Sequence, residues 1–329
     1  MSRLIVATTD MPFDAAYWAE FEAVAAPDRV VRVERKDVVA FRAALQEAEI
    51  AFLGADLDDD VLAAPKLKWV HVNMSGITMS ARPDIFTRDL RVTGVAGRSA
   101  PALAEHAMLF MLAINANLRG FEEAQRAHRW GGVEGSRELR SVYGQTVGIL
   151  GVGFTGKELA VRAKAFGMNV LGYRRREGEL PPGFDRIYSS DRGETIAPIL
   201  KEADFIVLAI NLSNATNHLI DAAAIAQMKP NAVIVNLSRG GVIDEAALLD
   251  SLYAGRIRGA GLDVFDTEPL PADSRFWDAP NTLVSPHFSA PVYDRLKRTM
   301  AIITENFRRY RAGEEMLNAL TPEDIYTAG

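Results

Sequence analysis

Cysteine is missing altogether from the 329 residues, which excludes disulfides, thiolate metal sites and cysteine nucleophiles. Histidine is scarce at 5 residues, and His71, His128 and His218 stand at no ligand spacing with acids, so no metal site is expected. Long apolar runs are lacking too. Ala107–Ile114 is interrupted by Asn115, well short of the ~20 residues that cross a bilayer, and MSRLIVATTD meets Asp10 too early for a signal-peptide core. Excess positive charge is also absent: Lys and Arg number 37 against 43 Asp and Glu, a net charge of -6, which argues against nucleic acid as the main partner. These absences lead to the expectation of a cytoplasmic protein with no membrane or nucleic-acid partner.

What remains is an ordinary globular composition, 48% hydrophobic and 24% charged, in a chain long enough for two domains. Short Val/Ile/Leu-rich runs alternate with longer segments of helical period, the pattern of parallel sheets covered by helices. Strands are expected at Leu4–Ala7, Val30–Val33, Ile50–Leu53, Trp69–Val72 and Arg91–Thr93. A second block follows at Val147–Leu150, Asn169–Tyr173, Phe205–Ala209, Ala232–Asn236, Gly259–Asp263 and Thr282–Val284. One helical stretch from about Ala100 to Arg126 and a glycine-containing connection around Trp130 separate the blocks. A last amphipathic segment, about Val292–Arg311, would make the first domain from both chain ends if it packed back on the first block.

The motif TVGILGVGFTGKELA sets Gly151, Gly153 and Gly156 in G-x-G-x-x-G register between a strand and a helix. Gly151 permits the tight turn, Gly153 lets backbone approach a pyrophosphate and Gly156 lets helix and strand pack closely. Phe154 and Thr155 open the helix, whose free N–H groups suit an anion. The acid that grips an adenosine ribose is expected roughly 20 residues on. There, LGYRRR offers Tyr173, Arg174, Arg175 and Arg176 instead. Arginine cannot accept from a hydroxyl but pairs bidentately with a 2′-phosphate, so NADP(H) is expected over NAD(H), against the alternative of a solvated basic loop.

Three further stretches place polar residues just beyond a strand: Ser238 and Arg239 in NLSRGGVIDEAAL, Asp263 and Glu268 in GAGLDVFDTEPLP, and His287 in SPHFSAP. Ligands of doubly wound sheets bind at the carboxyl ends of strands, so these loops should gather beside the glycine loop. An arginine fork suits a carboxylate or polarised carbonyl, and a histidine can exchange a proton near neutrality. A carboxylate on a histidine's other ring nitrogen orients the ring and favours its charged form. Taken singly, Arg239 could be an ion pair at a helix start, Glu268 a turn acid and His287 a loop histidine. The set beside a nucleotide loop points to catalysis.

These motifs, with APALAEHAMLFMLA ahead of them, resemble the D-isomer-specific 2-hydroxyacid dehydrogenases over nearly the whole chain, in the family's order. The resemblance implies two doubly wound parallel-sheet α/β domains, a Rossmann cofactor domain over 98–290 and a flavodoxin-like substrate domain from 1–97 and 291–329. It implies a homodimer whose contact includes the long helix and the region of Trp130. It further implies that Arg239 binds the substrate's carboxylate and carbonyl oxygen, that His287 is the general acid and that Glu268 holds it. Asp263 would lie near the nicotinamide, with Asn211, Thr216 and Ser238 also at the cofactor. Met74, Ser75 and Gly76 would offer backbone N–H groups to the substrate.

Three departures stand out. Gly76-Ile77-Thr78 replaces a Gly-Val-Asp pattern, Asn211 stands at a usual proline, and Arg174 replaces the ribose acid, as in members resembling NADPH-dependent glyoxylate and hydroxypyruvate reductases. The expected activity is reduction of a 2-oxoacid to a D-2-hydroxyacid, with His106 structural. A nucleotide-sensing corepressor-like protein and a phosphite- or formate-type dehydrogenase are the alternatives; Glu268 speaks against the formate type, where a glutamine stands.

Overall fold

A computed structural model describes residues 2–131, 141–288 and 292–327. It divides into two compact units, Met1–Ser99 with Val292–Gly329, and Ala100–Pro291.

The first unit holds β1 (Leu4–Thr8), β2 (Arg29–Val33), β3 (Ile50–Leu53), β4 (Trp69–Val72) and β5 (Arg91–Thr93) in the all-parallel order β2-β1-β3-β4-β5. That is the flavodoxin-like winding, in which the order reverses once. Short loops lead from the strands into helices that begin on aspartates. The side chains of Asp14, Asp37 and Asp58 accept from the N–H groups of Tyr17, Ala40 and Val61.

The chain's other end completes this unit. Helix Arg295–Ala312 buries Thr299, Met300, Ile303, Asn306 and Phe307, a stripe at helical spacing. The Phe307 ring stacks on Phe52 at 5.4 Å and meets Trp69 edge-on at 5.1 Å. Arg311 and Arg3, from opposite ends of the sequence, both pair with the buried carboxylate of Asp28. Burial pushes that carboxyl up, but the Arg3 N–H and the two guanidinium groups outweigh it and hold it below its usual range.

The second unit holds β6 (Thr146–Leu150), β7 (Asn169–Arg174), β8 (Arg186–Ser189), β9 (Phe205–Leu208), β10 (Val233–Asn236), β11 (Gly259–Leu262) and β12 (Thr282–Val284). Their order is β12-β11-β10-β9-β6-β7-β8, all parallel, so the winding reverses between β6 and β9. This is the Rossmann order with one added strand. The middles of the central strands are apolar because both faces are covered; Val147, Ile149, Val207, Val233 and Val235 are fully buried.

Two expectations need correction. The stretch 100–126 is not one helix. Helix Ala100–Asn115 ends where Arg258 binds the carbonyl of Asn115 at 2.7 Å and its side chain at 3.0 Å. Asn117 then turns into the left-handed region at φ 52 and caps a second helix, Leu118–Arg126, by accepting from the N–H of Gly120. The second correction is β8, an unexpected edge strand of four residues. Trp130 is fully exposed, and 132–140 of the connection after it lie outside the described residues. No helix among the described residues is long and apolar enough to cross a membrane.

Candidate active site

In the second unit the expected site residues collect beyond the carboxyl ends of the strands. At the reversal point, Gly151 follows β6 at φ 111, and an added Cβ would lie 2.2 Å from the carbonyl oxygen of Ala209, just past β9. A Cβ on Gly156 would lie 2.0 Å from the carbonyl oxygen of Gly151. Both glycines are thus demanded by the protein's own packing. Gly153 differs, since nothing among the described residues comes within 4 Å of a Cβ there. The open space lies at the first turn of helix Phe154–Ala165, where Phe154, Thr155 and Gly156 stand and where backbone N–H groups have no carbonyl ahead of them. A pyrophosphate fits that combination of space and donors.

The carbonyl of Tyr173 accepts from the N–H of Gly151 at 2.9 Å, which ties the end of β7 to the glycine turn. Arg174 ends β7, and its guanidinium donates to the carbonyls of Gly178 and Glu179, lacing its own loop closed. Its Nε is buried without a partner among the described residues. Arg175 and Arg176 are exposed, and the backbone carbonyl of Arg175 is fixed by the Ser189 hydroxyl at 2.7 Å. After β9, the Thr216 hydroxyl donates to the carbonyl of Asn211 at 2.7 Å, and accepts from the N–H of Ser213 at 2.8 Å. In that loop the hydroxyl of Thr216 serves the backbone turn.

Beyond β10, Asn236 shapes the arginine loop. Its side-chain Oδ1 accepts from the N–H of Ser238 at 3.0 Å and from the Ser238 hydroxyl at 2.8 Å, and its side-chain Nδ2 donates to the carbonyl of Arg239 at 2.9 Å. Arg239 itself donates to the carbonyl of Ser238 at 2.6 Å. Gly240 next to it lies so close to Phe265 and Asp266 that a Cβ would come within 2.1 Å of the Phe265 carbonyl carbon. The arginine loop and the Glu268 loop are therefore in contact.

Glu268 Oε1 accepts from the N–H of Phe265 at 2.9 Å, and Oε2 lies 2.6 Å from His287 Nδ1. With the carboxylate ionised, Nδ1 carries the proton that it donates, which fixes the ring and leaves Nε2 as the nitrogen for exchange. Glu245 stands beside this pair and accepts from the N–H of Asp266 at 2.8 Å. Burial pushes its carboxyl up, and the charges of Asp266 and Glu268 add to that against the opposing hydrogen bond.

Asp263 is buried after β11, where one carboxylate oxygen accepts from the Ser285 hydroxyl at 2.5 Å and from the N–H of Phe288 at 2.8 Å. Those two contacts bracket His287, whose backbone sits in the left-handed region at φ 50. The Ser285 oxygen also lies 3.0 Å from His106 Nε2. Asn236 and Glu245 stand in NLSRGGVIDEAAL and Ser285 in SPHFSAP, but their residue types alone assign them no role. Their signal is the position at a strand end or helix start beside a residue whose type does.

The residues from 108 to 289 match the family model of the D-isomer specific 2-hydroxyacid dehydrogenase NAD-binding domain. The chain belongs to that family. It is 34% identical over 280 residues to glyoxylate/hydroxypyruvate reductase B of Pectobacterium carotovorum, covering 82% of this chain and 84% of that one. It is 33% identical over 281 residues to D-3-phosphoglycerate dehydrogenase of Methanocaldococcus jannaschii, covering 83% of this chain but 51% of the relative, about half its length. A D-isomer specific 2-hydroxyacid dehydrogenase from Xanthobacter autotrophicus, solved with NADPH and MES, superposes with a TM-score of 0.81 at 27% identity, covering 98% of this chain and 99% of that one. The protein is an NAD(P)-dependent 2-hydroxyacid dehydrogenase, glyoxylate reductase-like.

In the dehydrogenase's first unit, the loop after β4 has its own geometry. The N–H of Met74 donates to the carbonyl of Val72 at 2.8 Å and its carbonyl accepts from Val95 at 3.0 Å, while the Ser75 hydroxyl reaches the carbonyl of Val95 at 3.4 Å. The N–H groups of Ser75 and Gly76 donate to no group among the described residues. Two adjacent free N–H groups form an anion-accepting corner.

Proposed function

We propose that the dehydrogenase reduces a small 2-oxoacid of the glyoxylate or hydroxypyruvate kind, with NADPH preferred over NADH. The observation that carries this reading is the 2.6 Å contact between Glu268 and His287 on a loop that Asp263 holds from both sides. A protein that only sensed nucleotides would have no use for an acid-held histidine beside an arginine loop.

In this reading Arg239 binds the substrate's carboxylate and carbonyl oxygen, where a charged fork both orients and polarises. His287, as the imidazolium that Glu268 stabilises, gives its Nε2 proton to that oxygen as charge develops on it and is left as the neutral ring with Nδ1–H on Glu268. The nicotinamide, when bound, supplies the hydride. Gly151, Gly153, Phe154, Thr155 and Gly156 hold its pyrophosphate, with Tyr173, Asn211, Thr216, Ser238 and Asp263 at the remaining cofactor contacts. Arg174 shapes the loop from which it and Arg175 meet a 2′-phosphate. The first unit is the substrate domain, and Ser75 and Gly76 offer their N–H groups to the carboxylate beside Met74. The working form is a cytoplasmic homodimer, supported by the exposed Leu109, Leu118, Phe121 and Trp130.

The deciding experiment follows oxidation of NADPH and NADH at 340 nm with glyoxylate, hydroxypyruvate, pyruvate, bulkier 2-oxoacids and 3-phosphohydroxypyruvate. Turnover of a small 2-oxoacid with NADPH is expected to be fastest. Inactivity with every one of them would refute the reading.

A further inference from the structure

Asn73, which leads into the Met74–Gly76 loop, is held by a buried arginine that pairs with no acid among the described residues. Arg98 is 5% exposed. It donates through Nη1 to Asn73 Oδ1 at 2.9 Å, through Nη2 to the carbonyl of Asn73 at 3.1 Å, and through Nη1 to the Thr299 hydroxyl at 3.3 Å. Asn73 directly follows β4 and is held on its other side by its N–H on the carbonyl of Leu53 at 2.8 Å. Thr299 belongs to helix Arg295–Ala312, so one guanidinium joins the strand end to the helix.

All three acceptors of Arg98 are neutral, and no ion pair among the described residues includes it. Its nearest charged influence is another cation, Arg295. Burial first, and then Arg295, lower its pKa to about 10, which leaves it charged near neutrality. The surroundings are short of acceptors: Arg98 Nε, Arg295 Nε and Asn73 Nδ2 are all buried without a hydrogen-bond partner among the described residues. His71, two residues before Asn73, is fully buried and is held neutral.

A guanidinium buried without a counter-ion is costly, and a stitch between a strand and a helix needs no net charge. The cost makes sense where an anion arrives from outside. Directly after Met74 come the N–H groups of Ser75 and Gly76, with no partner among the described residues.

We propose that Arg98 is a positioning residue for substrate binding: it fixes the peptide that leads into the Met74–Gly76 loop and supplies the positive potential that lets Ser75 and Gly76 hold a carboxylate. This rests on the reading of that loop as the carboxylate site.

The test uses the dehydrogenase with bound NADPH, glyoxylate as substrate and oxalate as a carboxylate probe. Arg98→Met is expected to raise the glyoxylate KM and the oxalate Kd roughly tenfold or more, with the NADPH Kd unchanged. Arg98→Lys, which keeps the charge and loses the fork, is expected to recover part of the loss. The sharper variant is Asn73→Asp. It puts a carboxylate where Arg98 already bonds, so it keeps or strengthens the stitch while cancelling the charge. The expected result is an unchanged or higher Tm with a KM raised roughly tenfold. An unchanged KM in Asn73→Asp makes Arg98 a stitch alone and overturns the proposal, even if Arg98→Met fails to fold. The backbone amide NMR signals of Ser75 and Gly76 separate the two readings. If oxalate does not move them, the loop reading has failed; if it moves them while Asn73→Asp and Arg98→Met bind oxalate normally, only the role of Arg98 has.

Discussion

Glu268 and His287 meet through a single 2.6 Å contact across 19 residues of sequence, and each is anchored separately, Glu268 by the N–H of Phe265 and the His287 loop by Asp263. Their alignment is thus built into the second unit before any substrate binds. Replacing His287 by Gln is expected to lower kcat by about 10²–10⁴-fold, the usual worth of a positioned acid. Glu268→Gln, which keeps the shape but weakens the hold on the ring, should cost about 10–100-fold. Steady-state kinetics, with NADPH binding followed by fluorescence, checks both; equal loss of cofactor affinity would point to a collapsed fold instead.

The three glycines of the turn should separate by what demands them. Gly156→Ala forces a Cβ to within 2.0 Å of the Gly151 carbonyl oxygen and is expected to destabilise the protein alone by about 1–3 kcal/mol. Gly153→Ala meets nothing within 4 Å among the described residues and sits at φ -85, which alanine adopts freely. Its Tm without nucleotide should stay near that of the parent, while the stabilisation added by NADPH should largely disappear. Differential scanning fluorimetry with and without nucleotide reads both quantities.

Cofactor choice should follow the exposed arginine. Since Arg174 is occupied by the carbonyls of Gly178 and Glu179 and Arg175 is exposed, Arg175→Ala should raise the KM for NADPH about tenfold and leave that for NADH nearly unchanged. Arg174→Asp should weaken NADPH and favour NADH. A parallel loss with both nucleotides in either variant would sink the 2′-phosphate role.

Stability should fall on the acid side because of His71. Burial, and then the charge of Arg98, lower its pKa from 6.5 to about 3. The folded protein keeps the ring neutral, whereas the unfolded chain takes up a proton as the pH drops through 6.5. The stability is therefore fully present above that pH and is lost progressively toward 3, at up to about 1.4 kcal/mol per pH unit. Urea unfolding at pH 7 and pH 5 should show a steeper loss in the parent than in His71→Asn.

The parallel strands were legible in the sequence because strands buried on both faces are unbroken apolar runs, as in Phe205–Leu208 and the Val233–Val235 part of β10. The glycine register, the three arginines and the Arg239, Glu268 and His287 positions were equally plain, since their chemistry is carried by residue type. What escaped depends on contacts distant in sequence. Arg98 reads as a surface residue within GRSAP, and only Thr299, 201 residues later, and Asn73 reveal it as buried. The break at Asn117 comes from a left-handed residue inside a run of good helix formers. Edge strand β8 carries polar residues at both ends and has too few residues to show a period.

Helix Arg295–Ala312 closes the first unit from the far end of the chain, and this gives synthesis an order. At 5–20 residues per second, the first 99 residues would wait roughly 10–40 s on a ribosome for the helix that seats Phe307 between Phe52 and Trp69. The contiguous second unit has its whole sheet by then. A nascent chain cut short before Arg295 would carry a finished nucleotide fold beside an open aromatic core, a state that quality-control chaperones and proteases can tell from the complete enzyme.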